Sequence, residues 1–355
     1  MAMNKTLARF KERFHNDIGI DLGTANTLVY VKGRGIVINE PSVVAVNQKT
    51  GKVVAFGGDA RKMLGRTPAH ITAIRPLVDG VVSNFEVTVE MLSYFIKKIE
   101  RTNQKLLRPR VIVGVPYGIT NVERRAVMDA ARAAGAREVF VIEQPVSAAL
   151  GIRLPIHEPV GNMVIDIGGG TTDIAVMSLS GIVRAKSLRI AGDTLNQNII
   201  AYIKEEFKIL LGERTAEDLK ILVGSVHPGD EPREATVRGR DLITGLPREV
   251  VITGSDIKEA ITPSINTFIE AVKEVIETTP PEIVSDIMHR GIVLVGGGSL
   301  IHGLPELLLR ELKIPIHITD DALSEVVRGM GVVLEDLDLH KDMLIENEDE
   351  LPPVI

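Results

Sequence analysis

The residues best suited to chemistry lie in two short turns. Val164–Val176 reads VIDIGGGTTDIAV, and Asp17–Val29 reads DIGIDLGTANTLV. Each has an apolar run, an aspartate just before a glycine, threonine in the turn, and a second apolar run. Glycine lets the backbone approach an anion and turn its N–H groups inward. Threonine adds hydroxyl donors. The aspartates would repel phosphate directly, so they make sense beside a Mg²⁺ held mostly through its own waters. A single glycine-rich hairpin is weak evidence, because tight hairpins need glycine anyway. Two alike, one in each half of the chain, point to a clamp on a nucleoside triphosphate tail. A third glycine turn, Gly296-Gly297-Gly298-Ser299, follows the buried run Ile292–Val295. Without side chains there, a flat base can slide against the backbone. None of the three is the dinucleotide G-x-G-x-x-G or the Walker G-x-x-x-x-G-K-[ST] pattern.

The elements that must hold these turns follow from periodicity. Asp17 to Gly57 alternates short β-branched runs with glycine and asparagine turns and predicts a strand meander. A helical pattern covers Glu86–Glu100. PRVIVGVP predicts a buried strand, and Thr120-Asn121-Val122-Glu123 is a capping box opening a helix that ends near Gly135. Arg137–Pro145 predicts another strand, then a helix to about Ile152. The pattern restarts with strands over Asn162–Leu179 and Gly181–Ile190 and a helix from about Asp193 to Leu211. The polar, turn-rich stretch Glu213–Pro247 predicts an inserted subdomain. A helix over Ser255–Thr278, then GIVLVGGGSLIHGLPELLLREL as strand, glycine turn and helix, the strand IPIHIT and a helix over Leu323–Leu334 complete the order. The halves therefore predict two domains of like α/β topology.

Composition narrows the function. The 355 residues are 45% hydrophobic, enough for two cores. The net charge of −6 argues against general nucleic-acid binding, which needs a basic face. There is no cysteine, hence no disulfide and no thiolate chemistry, which fits a reducing cytoplasm. No apolar run reaches 18 residues, so no membrane-spanning helix is expected. The N-terminal segment MAMNKTLARFKERF is no signal peptide, since basic residues interrupt it. Met3, Leu7, Phe10 and Phe14 share one helical face with Lys5, Arg9, Lys11 and Arg13 around it. Such a helix suits a membrane interface or packing on its own domain.

Five segments carry a resemblance: DIGIDLGTANTLVYVKGRGIVINEPSVVAV, IRPLVDGVV, PRVIVGVPYGITNVERRAV, NMVIDIGGGTTDIAV with RIAGD, and GIVLVGGGSLIHGL. Together they resemble the actin/Hsp70/sugar-kinase superfamily, and within it the MreB family of bacterial actin homologues, from about Asp17 to Leu334. The resemblance implies an actin-like ATPase fold with two RNase H-like domains around a nucleotide cleft, each carrying a smaller inserted subdomain. It divides the chain into an amphipathic membrane helix (1–16), domain I (17–157, insertion about 45–77) and domain II (158–325, insertion about 195–256). A C-terminal helix (326–340) returning to domain I and a disordered acidic tail (341–355) follow.

The same resemblance implies roles. Gly23, Thr24, Ala25 and Asn26 match one phosphate loop, and Gly168, Gly169, Gly170 and Thr171 the other. Asp21 and Asp166 match aspartates near Mg²⁺, bound mainly through water. Gly296, Gly297, Gly298 and Ser299 match the adenosine turn, and Glu217, Asp218, Leu219 and Lys220 the adenosine-side helix. Gln144, Thr171 and Asp166 match catalytic positions. Most relatives carry Glu where this chain has Gln144, and actin has Gln. A glutamine can orient water through its carbonyl oxygen but cannot accept a proton at neutral pH. The resemblance further implies ATP and Mg²⁺ as ligands, slow hydrolysis as a polymer switch, and head-to-tail protofilaments, often paired antiparallel. It implies peripheral binding to the cytoplasmic face of the cell membrane through Leu7, Phe10 and Phe14 and through Leu106-Leu107. Its partners would be the transmembrane protein RodZ and the cell-wall elongation machinery, and its role the maintenance of rod shape. A small-molecule kinase of the same superfold is the alternative. Aromatic content of 3% and the absence of tryptophan offer it no sugar site. An Hsp70-type chaperone would need a substrate module after the ATPase.

Overall fold

The computed structural model describes residues 17–103, 108–227 and 233–345. The chain forms two compact units, one built from the segment ending at Leu154 together with the segment from Ser324 onward, the other from Pro155–Leu323.

The first unit is built on a five-stranded sheet. Its strands are β1 (Ile18–Leu22), β2 (Asn26–Val31), β3 (Gly35–Pro41), β9 (Arg110–Val115) and β10 (Glu138–Glu143), in the order β10-β9-β1-β2-β3. The first three form an antiparallel meander, and β9 and β10 add to β1 in parallel. Parallel interior strands are covered on both faces, which explains the unbroken apolar run of β9. Helices α2 (Phe85–Asn103), α3 (Asn121–Ala133), α4 (Gln144–Gly151) and α10 (Glu325–Glu335) accompany the sheet. The capping box of α3 forms as expected: Thr120 Oγ1 accepts from the Glu123 N–H, and Glu123 accepts from the Thr120 N–H at 2.8 Å. Such a cap stabilises a helix start by about 1 kcal/mol.

An appended sheet of β4 (Val44–Asn47), β5 (Val53–Phe56) and β6 (Ile71–Ile74), ordered β5-β4-β6, carries the short helix α1 (Gly57–Met63). Sequence reading misses α1, whose start is held by Glu40 Oε2 accepting from the Gly58 N–H at 3.0 Å. The two-residue strands β7 (Leu77–Val78) and β8 (Val81–Val82) complete this unit.

The second unit repeats the plan. Its sheet is β13-β12-β11-β17-β18, with β11 (Asn162–Ile167), β12 (Thr172–Ser178), β13 (Gly181–Leu188), β17 (Ile292–Val295) and β18 (Ile316–Ile318). Again three antiparallel strands are followed by two parallel ones. The helices are α5 (Gly192–Glu206), α6 (Glu213–Val223), α7 (Gly254–Glu277), α8 (Pro281–Arg290) and α9 (Leu304–Leu312). The expected helix to Leu211 stops at Glu206 instead. Lys208 takes φ 55°, and Ile209–Leu210 form β14 against β15 (Glu234–Asp241), itself paired with β16 (Pro247–Thr253). Three apolar residues in a row fit a helix face or a strand equally well, and the hairpin offers them the strand.

At the C-terminal end, Lys341–Ile345 are ordered, where the sequence reading begins a disordered tail. Leu344 is buried, and Ile345 donates its N–H to the Val141 carbonyl on the free edge of β10 at 2.9 Å. Unpaired edges of this kind are commonly covered. Among the described residues no helix is long and apolar enough to cross a membrane. The candidate membrane residues Leu7, Phe10, Phe14, Leu106 and Leu107, and the rest of the N-terminal helix, lie outside the described residues.

Candidate functional site

In the first unit the turn Gly23–Asn26 joins β1 to β2. Ser42 Oγ donates to the Gly23 carbonyl at 2.5 Å, and the Ser42 N–H donates to the Ala25 carbonyl at 3.0 Å. Thr24 Oγ1 accepts from the Gly80 N–H at 3.0 Å. The turn is thus pinned from two sides. Neither Ser42 nor Gly80 was singled out by sequence, because each acts on a turn far away in the chain.

Asp21 lies beside this turn, at the end of β1. Gln144 begins α4, directly after β10. Strand β9 runs between them, and Gly114 on β9 is the partner of Asp21 on one side and of Ile142 on the other. With no side chain at Gly114, Gln144 reaches across, and its Nε2 donates to Asp21 Oδ1 at 2.9 Å. Burial pushes the Asp21 carboxyl up from 3.8 to about 6, with the Gln144 bond partly opposing the rise. Because the amide nitrogen is used, the Gln144 carbonyl oxygen remains an acceptor for a further group such as water.

In the second unit, Gly168–Thr171 joins β11 to β12. The Gly168 N–H closes the turn on the Thr171 carbonyl at 2.9 Å. The Gly168 and Gly169 carbonyls accept from the Gly192 and Asp193 N–H groups at 3.1 and 2.8 Å. Those donors belong to the first turn of α5, so the loop's carbonyls point to the helix start. Lys220 Nζ donates to the Gly192 carbonyl at 2.8 Å and ties α6 to the same corner. Thr172 Oγ1 donates to the Ile190 carbonyl at 2.7 Å. Asp166 and Asp173 are direct partners across the ladder, and both are buried, as is Thr171. Asp173, at 1% exposure, is an inner member of the hairpin.

The turn Gly296–Ser299 abuts this hairpin. Val295 is the partner of Asp166, and Gly296 has φ 79°. A Cβ on Gly296 would collide with Asp166 Oδ1 and the Ile167 carbonyl, and one on Gly298 with Ile167 Cγ2. Ser299 Oγ donates to the Gly296 carbonyl at 2.7 Å and fixes the bend. Glycine is required here by a close approach of backbone, whatever ligand the turn receives.

On α6 the four candidates separate. Glu217 and Lys220 are half-buried on one side, three residues apart. Asp218 is exposed. Leu219 is 1% exposed and packs in the core of its unit with Leu195 and Ile199. Its side chain is a core residue.

The sequence model of the MreB/Mbl protein family matches residues 15–342. The chain belongs to the MreB/Mbl family. It is 50% identical over 325 residues to the cell shape-determining protein Mbl of Bacillus cereus, covering 92% of this chain and 97% of that one. It is 49% identical over 346 residues to the cell shape-determining protein MreB of Escherichia coli K12, covering 96% and 100%. The crystal structure of MreB5 of Spiroplasma citri bound to ADP superposes with a TM-score of 0.88 at 35% identity, covering 93% of this chain and 99% of that one. The MamK double helical filament, at 23% identity, aligns with a TM-score of 0.77 and shares the fold. The fold of this MreB/Mbl-family chain is the actin-like ATPase fold, with two topologically similar units.

Proposed function

We propose that this protein is a nucleotide-switched cytoskeletal filament protein that helps to maintain cell shape. The observation that carries the reading is the repeated corner. In each unit an aspartate, Asp21 or Asp166, is the last residue but one of the central strand, with one apolar residue between it and a glycine turn. Relatives named as cell shape-determining proteins, and a relative of the same fold bound to ADP, support it.

In this reading ATP is the ligand. The turns at Gly23–Asn26 and Gly168–Thr171 receive its phosphates, and Gly296–Ser299 with Glu217 and Lys220 receive its adenosine. The donor chemistry fits Mg²⁺. Among the described residues no three His, Cys, Asp or Glu side chains cluster to cage a metal. Mg²⁺ commonly takes one or two carboxylates and fills the rest of its shell with water and phosphate oxygen. Asp21, whose burial disfavours its charge, and Asp166 would hold it. When bound, the ion would neutralise charge on the phosphates. Gln144 then holds Asp21 with its amide nitrogen and presents its carbonyl oxygen to the attacking water. No proton passes to it, so hydrolysis is slow and acts as a timer for the polymer.

Self-association into head-to-tail protofilaments, peripheral attachment to the cytoplasmic membrane face, and work with RodZ and the elongation machinery belong to the same proposal. The test is sedimentation with and without ATP and Mg²⁺, followed by phosphate release in the pellet. Nucleotide-dependent pelleting with slow phosphate release is expected. A protein that stays in the supernatant at every concentration, or that transfers phosphate to a small molecule, would overturn it.

A further inference from the structure

The amide of Gln144 is only as well placed as its stem, and the stem crosses an open position. A Cβ at Gly114 would lie 3.3 Å from Gln144 Cγ and would collide with Met330 Cε. Gln144 and Met330 therefore flank the same gap above β9. Met330 comes from α10 and is completely buried. Its Cβ lies 2.6 Å from where a Cβ of Gly19 would stand, and its sulfur 3.4 Å from it, so its side chain runs from β1 to β9. The third neighbour of the gap is Val326 Cγ1, 3.6 Å from the same point and also from α10.

The helix that brings Met330 is locked to the helix that brings Gln144. Ser147 Oγ on α4 donates to the Val326 carbonyl on α10 at 2.7 Å. Gly329, next to Met330, lies so close to the Ser147 carbonyl that no side chain fits between them. The two helices touch backbone to backbone, and Met330 cannot withdraw without moving α4.

We propose that Met330 is a positioning residue for Gln144: its terminal methyl, seated over Gly114, fills the gap into which the glutamine stem would otherwise fold, and keeps the amide on Asp21. The proposal rests on the reading that Gln144 orients water for hydrolysis. Methionine suits the task because an unbranched, flexible thioether can fill an irregular gap between two strands.

The test uses Met330→Ala, Met330→Leu, and Gly114→Ala with and without Met330→Ala in the full chain. In the crystal structure of nucleotide-free Met330→Ala, the Gln144 Nε2 to Asp21 Oδ1 bond should be lost. A bond kept at 2.9 Å overturns the proposal whatever the activity. In phosphate release, Met330→Ala should lower kcat about tenfold while KM for ATP stays constant, since misplacement by a fraction of an ångström costs rate and not binding. Met330→Leu should lose less. Gly114→Ala alone should slow the reaction by crowding the stem. Combined with Met330→Ala it should recover most of the rate, its methyl standing near where the methionine methyl stood. Equal losses in kcat and KM, or no rescue in the double variant, would reduce Met330 to core packing and overturn the proposal. A lost bond with unchanged kcat would uphold Met330 as the positioner and remove Gln144 from hydrolysis.

Discussion

Asp21→Asn should make the nucleotide-free protein more stable, and only above mildly acidic pH. In the folded chain burial raises the Asp21 carboxyl from 3.8 to about 6. Each unit of pKa is worth about 1.36 kcal/mol, so the charged form is disfavoured by up to about 3 kcal/mol. The sign follows from proton linkage. A carboxyl raised on folding binds its proton more tightly in the native state, so native stability is lost as pH rises. The loss is near zero below about pH 4, accumulates to about pH 6, and is constant above. Asparagine carries no charge at any pH, and its Oδ1 still accepts from Gln144 Nε2. The difference between variant and wild type should therefore grow from nearly nothing at pH 4 to at most about 3 kcal/mol at pH 7.5. For a unit of this size that is roughly 6–12 °C in Tm. Circular dichroism melts in EDTA suit a chain without tryptophan. Adding Mg²⁺ and ATP should reverse the order, because ligand stabilises only the protein that binds it. A gap that is the same at both pH values, or a wild type that is the more stable at pH 7.5 in EDTA, would refute the burial argument.

Four further outcomes test the rest of the site. Gln144→Glu sets a carboxylate where Nε2 now lies 2.9 Å from Asp21, a repulsion of about 6 kcal/mol at an effective dielectric of 20. It should lower Tm in EDTA at neutral pH, recover in acid or with Mg²⁺, and raise phosphate release; an unchanged rate would take Gln144 out of the reaction. Lys220→Met removes a charged donor from the Gly192 carbonyl, a bond worth about 1.5 kcal/mol, and should weaken nucleotide binding about tenfold in a fluorescence titration. Gly296→Ala and Gly245→Ala have like φ values, 79° and 75°, but only the first collides with neighbours. Gly245→Ala should cost about 1 kcal/mol in urea unfolding, and Gly296→Ala clearly more, with loss of nucleotide binding. Deleting residues 1–14 and replacing Leu106-Leu107 by Ser-Ser should abolish liposome pelleting, and binding that survives would refute the membrane reading.

What could be read from the sequence was what the chain specifies locally. The hairpins at Asp21 and Asp166, the capping box at Thr120 and the bend at Gly296 are each set by a few adjacent residues. Their repetition in both halves is visible without any coordinates. The sequence is less informative where local pattern is ambiguous. Ile209-Leu210-Leu211 suits a helix face as well as a strand, and its partner β15 begins some two dozen residues later. Leu219 sits between Glu217 and Lys220 in the chain, but a helix turns its side chain to the core while its neighbours remain half-buried.

The least legible part was how Asp21 and Gln144 are held, and the reason is physical. Asp21 and Gln144 come from opposite sides of β9, and their bond exists because Gly114 has no side chain to block it. From sequence that glycine is one weak strand residue inside VIVGV, of the kind that marks a close approach without naming what approaches. The structure names two occupants, the stem of Gln144 and the methyl of Met330. One comes from thirty residues downstream and the other from α10, more than two hundred residues away. A glutamine at position 144 therefore differs from a glutamate in more than proton chemistry. Its amide gives the half-buried Asp21 a donor that a carboxylate would withhold. The same bond leaves the Gln144 carbonyl oxygen as an acceptor, and in the proposed reading it ties that oxygen to the packing of α10.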